Sequence, residues 1–304
     1  MLYTERNNLR AEAKKSCDIT CEKYALLIGI CEKYLPNIYW KFPEKCPEYS
    51  TICGLNFTLY NAYLHNLIPN LFYKRESLSG NPLIPYGEDS YDQFALFDYI
   101  EFIAKNAHDI EYRKSHIPYR AHEDFKYSST NLNVRNELID DFNEIFKITN
   151  LLYKMNDNLE IERLTDADFL INSNSKIIAD IKEPGLKDYI NEAIAFYKDP
   201  QPNCRHLAVE KIWDAFERLK TCASEGNLQP NKKENTNKMI KNASNNNENI
   251  ENLIVSEFKE LTKIGNQYKI RHSEIDKYEI ADEKHYDYLF NRCFSLIILM
   301  LQYL

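Results

Sequence analysis

The stretch Ala208-Val209-Glu210-Lys211-Ile212-Trp213-Asp214-Ala215-Phe216-Glu217-Arg218-Leu219-Lys220-Thr221 decides the class of fold. Val209, Ile212, Trp213, Phe216 and Leu219 recur at the spacing of one helix face, and Glu210, Lys211, Asp214, Glu217 and Arg218 take the other faces. Asn203 stands upstream as a candidate helix cap. Downstream, Ile254, Phe258 and Leu261 mark a second amphipathic helix, expected to stop near Gly265, because glycine suits the left-handed turn past a helix end. A third helix is expected from about Asp282 to the terminus. Its apolar end, Cys293 to Leu301, reads CFSLIILML, which falls short of the roughly 20 residues that cross a bilayer. A helix buried in a bundle accounts for it, and no membrane partner is expected. Between the first two helices, residues 224–252 are dominated by asparagine and lysine with little to bury, and read as a flexible loop.

The N-terminal half carries the same period less regularly. Phe94, Phe97, Ile100, Ile103 and Ala107 define one amphipathic stretch, and Val134, Leu138, Phe142 and Ile145 another. Asn81-Pro82-Leu83-Ile84-Pro85-Tyr86-Gly87 is a surface connection. Leu151-Leu152-Tyr153 and Leu159-Glu160-Ile161 flank Asn156-Asp157-Asn158 and predict a small β-hairpin. The expected fold is therefore mainly α: a helical N-terminal domain over 1–165 with one hairpin, then a C-terminal helical bundle over 166–304 interrupted by the asparagine-rich loop.

Of 304 residues, 44% are hydrophobic and 28% charged, enough apolar material for one large core or two modest ones. With only 7 glycines, a glycine-rich phosphate loop is disfavoured. A net charge of −8 argues against broad attraction to nucleic acid or anionic membrane. From Leu253 to Leu304, seven Lys and Arg face eight Asp and Glu, so any RNA contact must be a local pocket. The eight cysteines, at 17, 21, 31, 46, 53, 204, 222 and 293, form no C-x-x-C pair. No signal peptide is read at Met1-Leu2-Tyr3-Thr4-Glu5-Arg6-Asn7-Asn8, so free thiols in a reducing cytoplasm, with no metal and no cofactor, are expected. Cys17, Cys21, Cys31, Cys46 and Cys53 make only a loose cluster for a metal.

The richest chemistry lies in Lys263-Ile264-Gly265-Asn266-Gln267-Tyr268-Lys269-Ile270-Arg271-His272-Ser273-Glu274. An imidazole beside a guanidinium, lysines and a carboxamide can hold a phosphodiester and take a ribose 2′-hydroxyl proton without metal. A plainer reading has Arg271 and His272 capping a helix end and pairing with Glu274 or Glu217. A second candidate is Lys176-Ile177-Ile178-Ala179-Asp180-Ile181-Lys182, a strand-like run with Asp166 and Asp168 upstream, matched against a metal-dependent nuclease. A helix-to-helix connection explains the same run. His108, His116 and His122 fall in one loop-like region with Glu111, Glu123 and Asp124, which is a conceivable metal site, but their spacing fits neither a helical i, i+4 pair nor a compact chelate, and surface histidines are the plainer account. Cys204 beside Arg205-His206 reads as a packing group rather than an activated thiolate.

The tryptophan helix, with Ile270-Arg271-His272 and Tyr288-Leu289-Phe290-Asn291-Arg292-Cys293-Phe294, resembles the C-terminal region of bacterial abortive-infection proteins of the AbiJ type, related to the HEPN superfamily. Phe97-Asp98-Tyr99-Ile100-Glu101-Phe102-Ile103 and Asp141-Phe142-Asn143-Glu144-Ile145-Phe146 are similar to their N-terminal domains. The resemblance implies an all-helical bundle, often dimeric, whose catalytic members cleave RNA without metal in defence against phage. In that scheme His272 is the general base, Arg271 the phosphate clamp and Asn266 a positioning donor. Lys263, Lys269 and Arg292 gather the phosphate, and Glu217 orients Arg271. The implied partners are RNA, a second copy of the chain, and an antitoxin or phage-derived trigger. The chain departs from the superfamily at the motif itself, an arginine, four to six residues, then histidine. Gly265, Asn266 and Gln267 hold the positions before His272 where that arginine belongs. The competing expectation is a non-catalytic interaction or dimerisation module.

Overall fold

In a computed structural model, the chain is described over residues 3–7, 15–74, 80–116, 122–222, 232–270 and 277–303. It is mainly helical with a small antiparallel sheet and divides into two compact units, Met1–Glu162 and Arg163–Leu304. Among the described residues no helix is long and apolar enough to cross a membrane.

The first unit runs α1 (Tyr3–Arg6), α2 (Cys21–Lys33), a 3-10 turn (Leu35–Ile38), β1 (Pro43–Lys45), β2 (Ile52–Leu55), α3 (Phe57–Leu67), α4 (Gln93–Asn106), β3 (Ile110–His116), β4 (His122–Tyr127), α5 (Leu132–Ile148), β5 (Tyr153–Met155) and β6 (Ile161–Arg163), whose last residue opens the second unit. Asp92 starts α4 by accepting the Phe94 amide at 2.8 Å, which answers one of the donors a helix start leaves open. Leu96, Phe97, Tyr99, Ile100, Phe102 and Ile103 of that helix are all buried, so α4 is covered on nearly every side. From α5, Val134, Leu138, Phe142 and Phe146 close onto the same core. The Tyr60 and Tyr99 hydroxyls meet at 2.7 Å inside it, one donating to the other.

The hairpin expected around Asn156 is present as β5 and β6. Asn156 Oδ1 accepts the amides of Asn158 and Glu160, and Leu159 takes a left-handed φ of 62° to turn the chain. The four-stranded sheet β1-β2-β4-β3 corrects the expectation of a helical domain with one hairpin. It also corrects the loop-like reading of the histidine region, since β3 and β4 pair antiparallel from Ile110↔Tyr127 to His116↔His122. These strands are rich in charge, and the sheet forms through tertiary pairing at Ile52↔Phe125, which pattern in a single segment does not reveal.

The second unit holds α6 (Asp168–Ser173), α7 (Ser175–Ala179), α8 (Pro184–Lys198), α9 (Pro202–Cys222), α10 (Lys232–Ser244), α11 (Glu248–Gln267) and α12 (Glu283–Leu301). α9 is its axis, packed against α8, α10 and α12, with Val209, Ile212, Trp213, Phe216 and Leu219 fully buried, as their spacing predicts. Asn247 and Asp282 cap α11 and α12.

Four local expectations are corrected here. Asn203 is not a cap, because α9 already begins at Pro202, a residue suited to a first helical turn. The strand-like run at Lys176 is helical in α7. Residues 224–252 are not one loop: α10 and the start of α11 fill most of the stretch, and Met239, Ile240 and Ala243 are buried. The turn between the two helices is made by Asn245 and Asn246 at φ 47° and 61°, a conformation that asparagine tolerates better than most residues. Finally, α11 stops near Gly265 as expected, at Gln267, but Gly265 lies inside its last turn and takes no left-handed conformation.

Candidate functional site

Gly265 is glycine because of Trp213. A Cβ at this position would stand 2.6 Å from the indole Nε1 and 2.7 Å from Cδ1, inside any allowed contact. The indole N–H lies there to donate to the Leu261 carbonyl of α11 at 3.2 Å, a buried bond that ties α9 to α11. Of the three places that the superfamily pattern offers to an arginine, the one at Gly265 is therefore closed by a neighbouring aromatic ring, while Asn266 and Gln267 are exposed.

One residue on, Asn266 is exposed on the last turn of α11, and Lys263 is exposed on the same turn. Past the helix the chain is framed by a short parallel bridge, Tyr268↔Tyr278, in which Lys269 N–H donates to the Tyr278 carbonyl at 2.9 Å and Tyr278 N–H to the Gln267 carbonyl at 2.9 Å. This frame holds together the chain on either side of 271–276. Arg271 and His272 lie outside the described residues.

Of the other cations named for phosphate, Lys269 pairs with Glu279 at 3.1 Å. Arg292 of α12 makes a two-pronged pair with Glu257 of α11, at 2.7 and 2.9 Å, and those hydrogen bonds raise its proton affinity further above the usual guanidinium range. Glu257 precedes Asn266 by nine residues, about 13.5 Å along a helix axis at about 1.5 Å per residue, so Arg292 is not gathered at Asn266. Glu217 faces α11 from α9, and Lys220 Nζ reaches both it, at 2.6 Å, and Thr262 Oγ1, at 2.9 Å, while lying 4.1 Å over the Phe216 ring.

Sequence reasoning missed the neighbours of Lys269. His206, in the first turns of α9, has Nε2 3.2 Å from the Lys269 carbonyl and its ring edge-on to Tyr286 at 5.8 Å. Beside it Arg205 pairs with Glu283 and approaches Asp287 at 3.8 Å. Asp287 also takes Arg163, which is 5% exposed, donates to the Tyr197 carbonyl at 2.9 Å and lies 4.9 Å over the Tyr197 ring. Apart from the Cys204-Arg205-His206 run, no sequence signal links residue 206 to residue 269, because only the return of the chain after α11 brings them together.

The remaining candidates are placed elsewhere. Burial first, then the Asp199 charge, pushes the Cys204 thiol up to about 11, which leaves it protonated near neutrality and a poor nucleophile. His108 has Nδ1 3.1 Å from the Ser128 carbonyl and packs edge-on against Trp40 at 4.5 Å. Asp168 accepts the Thr165 amide at 3.0 Å at the start of α6, and Asp166, Asp168 and Asp180 form no group of metal-ligand spacing among the described residues. No family model, curated protein or solved structure matches the chain.

Proposed function

We propose that the chain is an antiphage abortive-infection protein of the AbiJ-like kind whose C-terminal, HEPN-like bundle serves as an interaction module rather than as a nuclease. The observation that carries this reading is that none of the three motif positions can supply the arginine: Gly265 is closed by the indole of Trp213, and the other two hold Asn266 and Gln267. The two-pronged pairing of Arg292 with Glu257 supports it, because a guanidinium whose fork is already filled by a carboxylate is a weak phosphate clamp. The test is incubation of the purified chain with total and transfer RNA in EDTA, beside His272→Ala. Intact RNA in both samples is expected, and cleavage that disappears in His272→Ala would overturn the reading in favour of an RNA-cleaving site.

A second copy of the chain is the partner this reading names. Around the Glu257–Arg292 pair, Leu253 stands one turn back on α11, 66% exposed, and Tyr288 one turn back on α12, 58% exposed. Exposed apolar side chains on two neighbouring helices are what a two-fold contact would cover, with the charged pair at its polar rim. Sedimentation equilibrium is expected to show a dimer that Leu253→Asp converts to monomer; a monomeric wild type excludes this partner.

A further inference from the structure

The sheet of the first unit brings together three side chains that lie far apart in sequence. Cys46 follows β1 and is 2% exposed. Its backbone is held in a tight turn, with Cys46 N–H donating to the Thr51 carbonyl at 2.8 Å and Ser50 N–H to the Cys46 carbonyl at 2.9 Å, while Ser50 takes a left-handed φ of 54°. β2 then pairs with β4 at Ile52↔Phe125, which sets this turn beside the start of β4. On β4, His122 and Asp124 are two residues apart and so share a face, with Glu123 exposed between them. The Cys46 thiol, a ring nitrogen of His122 and a carboxylate oxygen of Asp124 all lie within 4.8 Å of one another.

We propose that Cys46, His122 and Asp124 form a binding site for a divalent metal ion of the zinc class. One thiolate, one imidazole and one carboxylate is a donor set that zinc accepts, whereas magnesium and calcium call for oxygen ligands. The spacing fits. A tetrahedral ion about 2.0–2.1 Å from a nitrogen and an oxygen holds them about 3.4 Å apart. His122 Nε2 and Asp124 Oδ1 stand 3.5 Å apart. The carboxylate is oriented from behind, since the Thr51 hydroxyl donates to Asp124 Oδ1 at 2.8 Å, the kind of outer hydrogen bond that fixes a ligating carboxylate. Three protein ligands leave a fourth position for water or an incoming group. An ion here ties the turn after β1 to β4. In the sequence Cys46 belongs to one loose metal-ligand group and His122 with Asp124 to another, and the two meet only through the order β1-β2-β4.

The test uses the full chain stripped with a chelator, then titrated with zinc against a chromophoric competitor and, separately, with cobalt(II). The wild type is expected to bind one equivalent of zinc, and the cobalt form to show the thiolate-to-cobalt band in the near ultraviolet with the visible bands of a tetrahedral site. Cys46→Ser removes the thiolate band, His122→Ala weakens zinc binding by about 100-fold, and Cys21→Ser changes neither. Thr51→Val, which deletes only the hydroxyl behind Asp124, retains one equivalent at about 10-fold lower affinity. Circular dichroism establishes that each variant is folded. If Cys46→Ser does not fold, Asp124→Asn and Thr51→Val decide the matter, and unchanged affinity in both overturns the site. So does a wild type without stoichiometric zinc, or a thiolate band that survives in folded Cys46→Ser.

Discussion

At position 265 a hydrogen stands where every other residue has a carbon, and the Trp213 indole uses the space. Helix propensity alone favours alanine over glycine there by about 1 kcal/mol, yet overpacking a filled site costs about 1–3 kcal/mol. Gly265→Ala is therefore expected to lower stability in urea denaturation. Gly29 in α2 is the contrast, since a Cβ added there meets nothing within 4 Å. Gly29→Ala should raise stability by about 0.5–1 kcal/mol in the same measurement. Gly265→Arg restores the superfamily spacing to His272 and is expected to destabilise the second unit without producing RNA cleavage. A gain of cleavage in that variant would show that the indole can yield. The reason for glycine at 265 was not legible from its own neighbourhood. A glycine near the end of an amphipathic pattern reads as a stop, and only the partner 52 positions earlier in the chain explains it.

Among the elements, α10 carries the most direct lesson. Its segment reads as a loop because asparagine and lysine outnumber everything that could be buried, yet Met239, Ile240 and Ala243, at i, i+1 and i+4, suffice for one short buried face. Ile240→Ala should cost about 2–4 kcal/mol if this face is core, and almost nothing if the segment is a loop. Denaturant unfolding distinguishes the two. The strongly periodic helices, α4, α5, α9, α11 and α12, were legible because each carries its own apolar face, and so was the hairpin at Asn156, whose turn chemistry is local. The sheet β1-β2-β4-β3 was not, because its strands are short or charged and each is stabilised by a neighbour distant in sequence. The candidate site divides in the same way. The residue types around Asn266 and Lys269 could be read directly, whereas Glu279, Glu257 and His206, which occupy or adjoin them, are supplied by other turns of the chain.

For the whole molecule, two separate cores mean that damage to one is expected to act locally. Phe142→Ala should accelerate hydrogen exchange in α2, α4 and α5, and Ile240→Ala in α9 to α12, as read by mass spectrometry of peptides from each unit. Protection lost equally across both units in either variant would contradict the division. The chain also has two tryptophans, and the units take one each. Trp213 is 1% exposed and donates to Leu261, while Trp40 is 37% exposed, donates to the Asn106 carbonyl at 2.9 Å and touches the His108 ring. An indole in a dry core emits at shorter wavelength than one in contact with water, and iodide quenches only the latter. The protein thus carries a built-in pair of optical reporters, one colour for each unit, so that a single fluorescence spectrum resolved by quenching follows the two cores at once without any label.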